Sequence, residues 1–107
     1  MIIWHRNLWM DEIVRKNPGK YKRAVERGKF KLSLYCITLP SNPENLLDIY
    51  HVNEFLFPYY QGKEITVVGM AHSREAAFEL VREMVEQVYR QGSDVNLREY
   101  FEGLCKT

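Results

Sequence analysis

The chain has 107 residues, a formal net charge of +1 and a hydrophobic content of 46%, which suits one globular unit with its own core. No apolar run approaches the roughly 20 residues needed to span a bilayer, and Met1-Ile-Ile-Trp-His-Arg lacks the order of a secretory leader. The two cysteines, Cys36 and Cys105, show no metal or redox spacing, so the expected location is the cytoplasm.

The near-neutral total hides a division. Residues 5–31 hold nine basic and three acidic side chains, whereas residues 32–107 hold six basic and eleven acidic ones. A basic front on an acidic body suits either an anionic partner or the body of a second copy.

Residues 4–16 carry a weak helical spacing (Trp4, Leu8, Trp9, Ile13) that Asn17-Pro18-Gly19 interrupts as a turn. Residues 20–28 predict a short basic helix with only Tyr21, Ala24 and Val25 as apolar contacts. Residues 1–28 therefore read as a basic helical arm ahead of a single domain over 29–107.

The first predicted strand covers residues 30–39, where Phe30, Leu32, Leu34 and Cys36 alternate with their neighbours; Cys36 reads as a small core residue. Asn42-Pro43 suits a helix start, and Leu46, Ile49, Val52, Phe55 and Leu56 then predict a crossover helix over 44–57. A competing reading makes residues 55–60 a strand in a hairpin with 64–71, which Pro58 disfavours.

Residues 64–71 predict a strand apolar on both faces, with Ile65, Val67 and Gly69 on one side and Thr66, Val68 and Met70 on the other. The helix that follows has Ala77, Leu80, Val81, Met84 and Val88 on one face, Ser73 as N-cap and Gly92 as terminator. Glu86 and Arg90 are spaced for an outer-face pair. A short helix capped by Asn96 covers residues 97–105. The fold class is α/β: a small two-layer β-α-β-α domain with strands near 30–39 and 64–71. Two strands make a marginal sheet, which argues for strand addition from a second copy and hence a homodimer.

Two places offer sites. The turn Gly69, His72, Ser73 and Arg74 lies between a strand and a helix N-terminus, where anions are favoured. No Rossmann or phosphate-loop glycine pattern accompanies it, and Gly69 has a structural reading as a close-packing position. The basic stretch Lys20, Lys22, Arg23, Arg27, Lys29 and Lys31, with Tyr21 and Phe30 as stacking rings, suits a nucleic-acid backbone, without a known nucleic-acid-binding signature. His5, His51 and His72 have no metal spacing, and no catalytic group, cofactor or metal is expected. The leading expectation is a non-catalytic interaction or regulatory module, homodimeric and with a protein partner. Nucleic-acid binding through the basic stretch and small-ligand or phosphate binding at the Gly69–Arg74 turn are the alternatives.

Overall fold

The computed structural model describes residues 2–27, 33–40, 47–56 and 62–91. Its first element, β1 (Ile2–Met10), is a strand, not the front of a helical arm. Ile2, Ile3 and Trp4 are good strand formers, and they pair in parallel with Ile65, Thr66 and Val67. The next match is Trp9 with Gly69, so β1 advances five residues while its partner advances two. That irregularity spreads Trp4, Leu8 and Trp9 at intervals that imitate a helix.

Asp11 ends the strand and caps α1 (Glu12–Arg15). Asn17-Pro18 then opens α2 (Pro18–Arg27): proline at a first helical position loses no helical hydrogen bond, and Asn17 Oδ1 accepts the Lys20 N–H at 3.4 Å. The tripeptide that interrupts one element thus starts the next.

The strand β2 (Tyr35–Thr38) is shorter than the expected residues 30–39, of which 30–32 lie outside the described residues. β3 (Asp48–His51) pairs antiparallel with β2, and a 3-10 turn (Val52–Leu56) follows it. Over residues 48–56 these stand in place of the expected crossover helix over 44–57, of which 44–46 and 57 lie outside the described residues. Within β3 the side chains alternate, Ile49 packing on one face of the sheet and Tyr50 on the other, and Val52 returns to the Tyr50 side. The competing hairpin over 55–60 does not form as read, since Phe55 and Leu56 belong to the turn and 57–60 lie outside the described residues.

β4 (Ile65–Ala71) is the expected second strand and α3 (Arg74–Gln91) the expected long helix. Ser73 is its cap: Oγ accepts the Ala76 N–H at 3.1 Å, satisfying an otherwise unpaired first-turn donor. On the outer face Glu86 pairs with Arg82 at 2.7 Å rather than with Arg90. Gly92 and the predicted helix over 97–105 lie outside the described residues.

The strands form one mixed sheet in the order β1-β4-β2-β3, with β4 parallel to β1 and antiparallel to β2. One face carries α2, through Tyr21 and Val25 with Val14, Leu34, Cys36, Val52, Val67 and Met70. The other carries α3, through Ala77, Leu80, Met84 and Val88 with Ile37, Val68 and Ala71. The domain is α/β with three layers, not two, each large apolar side chain so buried contributing about 1.5–3 kcal/mol. Four strands also remove the reason for expecting strand addition from a second copy. Cys36 is fully buried in this core, and burial pushes its thiol up to about 12.

Gly69 marks a bulge. Ile37 pairs with Gly69 but Thr38 with Val67, so Val68 is skipped and the side-chain alternation reverses. Met70 therefore packs on the α2 face beside Val67, whereas Ala71 joins Val68 beneath α3. The expected alternation across Gly69 does not hold for that reason. A Cβ at Gly69 would lie 3.1 Å from Met84 Cε, 3.1 Å from the Trp9 carbonyl oxygen and 3.2 Å from Ile37 Cδ1.

Candidate functional site at the carboxyl ends of the parallel strands

Because β1 and β4 run parallel and adjacent, their C-terminal ends deliver Asp11 and His72 side by side. Asp11 Oδ1 accepts the Val14 N–H at 2.8 Å, and Oδ2 accepts the His72 N–H at 2.8 Å. The His72 ring nitrogen Nδ1 also contacts Oδ2. An ionised carboxylate can only accept, so Nδ1 carries the hydrogen and Nε2 of the neutral ring carries the lone pair. Burial alone would raise the Asp11 carboxyl. The backbone N–H groups of His72 and Val14, then the His72 ring, outweigh it and hold the carboxyl below its ordinary value of 3.8. The carboxylate side chain is 10% exposed and the imidazole 42%, so the acid is sheltered and the ring is open to solvent.

On the α3 side of the same sheet end lies a cleft of about 590 Å³, lined among the described residues by Tyr35, Leu47, Asp48, Ile49, His51, Glu54, Arg74 and Phe78. Its walls follow from the topology: Tyr35 opens β2, His51 closes β3 opposite it, and Arg74 starts α3. The Tyr35 and His51 rings meet edge-on, 5.1 Å between centroids. His51 is oriented further by the Asn53 N–H, which donates to its Nδ1 at 3.1 Å, while the His51 N–H donates to Glu54 Oε2 at 2.8 Å. Asp48 Oδ2 accepts the Tyr50 hydroxyl at 3.2 Å. The Arg74 guanidinium sits 5.6 Å from the Phe78 ring centroid, within cation–π range. Among the described residues no carboxylate forms an ion pair with it.

The four turn residues singled out by sequence separate in space. Gly69 is buried beneath Met84 and Ile37. His72 is held by Asp11, and Ser73 Oγ is engaged as a helix cap. Of the four, Arg74 alone lines the cleft. Of the basic stretch, Lys20, Lys22 and Arg23 lie on α2, with Lys20 Nζ 5.7 Å from the Tyr21 ring and Lys22 Nζ 5.6 Å from the Trp4 ring. Arg27 ends α2; its side chain, Lys29, Phe30 and Lys31 lie outside the described residues. Tyr21 is a core residue, 9% exposed, so it is not the stacking ring that its place among the lysines suggests.

Sequence reasoning missed Asp11 as a site residue, and missed Tyr35, Asp48 and Glu54 as cleft walls. Asp11 had a local signal, a capping side chain ahead of Glu12-Ile13-Val14. Its meeting with His72, 61 residues away, had none. Among the described residues no group of three or more His, Cys, Asp or Glu stands together as a metal site, and no helix is long and apolar enough to cross a membrane. No protein-family model matches the chain, and no curated protein or solved structure matches it either.

Proposed function

We propose that this domain binds a small anionic ligand with an apolar body in the cleft beside α3, with Arg74 as the anchor of the anionic group. The observation that carries this reading is the position of Arg74, on the cleft wall and at the first position of an 18-residue helix. The positive helix end and the guanidinium act there in the same direction. The carboxylates of the same cleft are engaged, Glu54 by the His51 N–H and Asp48 by the Tyr50 hydroxyl, which lessens their opposition. Leu47, Ile49 and Phe78 supply apolar surface for the rest of the ligand.

Phenyl phosphate and inorganic phosphate are suitable probes in a thermal-shift titration, since a ligand specific to the native state raises stability by mass action. The expected result is a rise in Tm with phenyl phosphate, smaller with inorganic phosphate and lost in Arg74→Ala. No rise with either probe, or a rise that survives Arg74→Ala, overturns the reading.

A second reading is a cytoplasmic homodimer working as an interaction module. Phe78 and Tyr89 are 53% and 72% exposed, and eleven residues of helix bring them back to one face of α3. A mass that grows with concentration in sedimentation, and falls in Phe78→Ser with Tyr89→Ser, supports it. A monomer at high concentration defeats it.

A further inference from the structure

We propose that His72 is a phosphoryl-acceptor residue, its Nε2 taking a phosphoryl group from a donor of the phosphoramidate class. The inference stands on the Asp11–His72 geometry and does not rest on the ligand cleft.

Three observations converge on this nitrogen. The first is the tautomer. With Nδ1–H directed at the Asp11 carboxylate, the lone pair of the neutral ring is on Nε2. At His51 the opposite holds: its Nδ1 accepts the Asn53 N–H, so the ring hydrogen of the neutral form is on Nε2 and the ring's lone pair is already engaged. The second is access. The His72 side chain is 42% exposed, whereas His5 is 2% exposed. The third is the setting. His72 lies two residues ahead of Arg74 and directly before the Ser73 cap of α3, so the positive end of a long helix and a guanidinium share its neighbourhood. A dianionic phosphoryl group is favoured in such a field.

Asp11 supplies what the reaction needs on the other side of the ring. As Nε2 attacks phosphorus, its lone pair forms the new N–P bond while the donor's N–P bond breaks. The departing nitrogen leaves as ammonia, keeping the hydrogens it held in the zwitterionic donor. Nδ1 keeps its hydrogen, so positive charge develops on the imidazole, and the sheltered Asp11 carboxylate faces it. Asp11 is thus a positioning residue that also stabilises the phosphorylated ring, and its anchoring by two backbone N–H groups keeps it from turning away.

The test is incubation of the full chain with potassium phosphoramidate, followed by intact mass measurement and site mapping at alkaline pH, where the N–P bond survives. The expected product carries one phosphoryl group, on His72, formed at least about tenfold faster than on His51, and it is absent in His72→Gln. Asp11→Asn, checked for a native melt, should slow labelling at least about tenfold, the scale of losing the partner that orients a histidine. The comparison of His72 with His51 is internal to the wild-type protein, so it holds even where a variant fails to fold. Labelling of His51 at the same rate as His72 overturns the proposal. So does the absence of any label, a native rate no faster than that in urea, or wild-type labelling in a folded Asp11→Asn protein.

Discussion

Asp11 and His72 tie the exit of β1 to the exit of β4 through one carboxylate, although 61 residues separate them in sequence. One oxygen caps α1 through the Val14 N–H and the other holds the backbone and ring of His72. The clip sits where the two parallel strands release the chain into helices, so it fixes both helix entries at once.

Removing it should cost more than an ordinary cap. Losing a capping side chain costs about 1 kcal/mol, and leaving the His72 N–H without its acceptor adds about 1 kcal/mol more. Asp11→Ala is expected to lower the unfolding free energy by about 2 kcal/mol in urea titrations, with the slope m unchanged. Asp11→Asn keeps the capping oxygen and should lose about half as much. A loss of less than about 0.5 kcal/mol for Asp11→Ala, typical of surface changes, would show the clip to be incidental.

The same carboxylate sets an acid limit. Its folded value lies below its ordinary 3.8, so the unfolded chain binds the proton more readily. The stability it contributes is then fully present above the unfolded value and is lost as pH falls through the folded value. The difference in stability between wild type and Asp11→Asn should therefore shrink as pH falls below about 4. A difference undiminished between about pH 5 and about pH 2 would contradict the assignment of an ionised, hydrogen-bonded Asp11.

Gly69 makes a third prediction at the bulge under α3. Two of the three atoms that a Cβ would meet end flexible side chains, Met84 Cε and Ile37 Cδ1, but the third is the Trp9 carbonyl oxygen. Side chains can shift by a few tenths of an ångström, whereas the backbone of a paired strand yields poorly. Gly69→Ala should thus destabilise by about 1–3 kcal/mol, the usual range for overpacking, and Gly69→Val by more. Chemical denaturation of the two variants measures both, and an unchanged midpoint for Gly69→Val would mean that β1 moves freely there.

The elements read correctly from sequence are those whose signals are local. Ser73 and the spacing of Ala77, Leu80, Met84 and Val88 belong to a single helix, and the apolar run from Ile65 to Ala71 belongs to a single buried strand. β1 escaped because its irregularity between Trp4 and Trp9 replaces period two with a four- and five-residue spacing that imitates a helix. β3 escaped because four residues are too few to establish alternation against the spacing of Leu46, Ile49 and Val52. Arg74, singled out from its place at a strand-to-helix turn, lines the cleft beside α3. The Asp11–His72 pair and the Tyr35–His51 wall were not, because strand pairing between distant segments creates them.

α2 offers a clean separation between core and surface on one short helix. Tyr21 is buried with Val25 against Val14, Leu34 and Val67, whereas Lys20 and Arg23 are exposed and Lys22 lies over the Trp4 ring. Tyr21→Ala should cost about 3–5 kcal/mol, as other large aromatic truncations in cores do. Charge reversal of Lys20, Lys22 and Arg23 together should cost no more than about 1–2 kcal/mol, chiefly through the cation–π contacts at Lys20 and Lys22. The same triple variant tests the nucleic-acid alternative. Binding of single-stranded DNA by the wild type should fall steeply with salt and be lost in the variant if this face tracks phosphates. Equal stability losses for Tyr21→Ala and the triple variant would instead place the basic face within the packed structure, against the burial pattern of the helix.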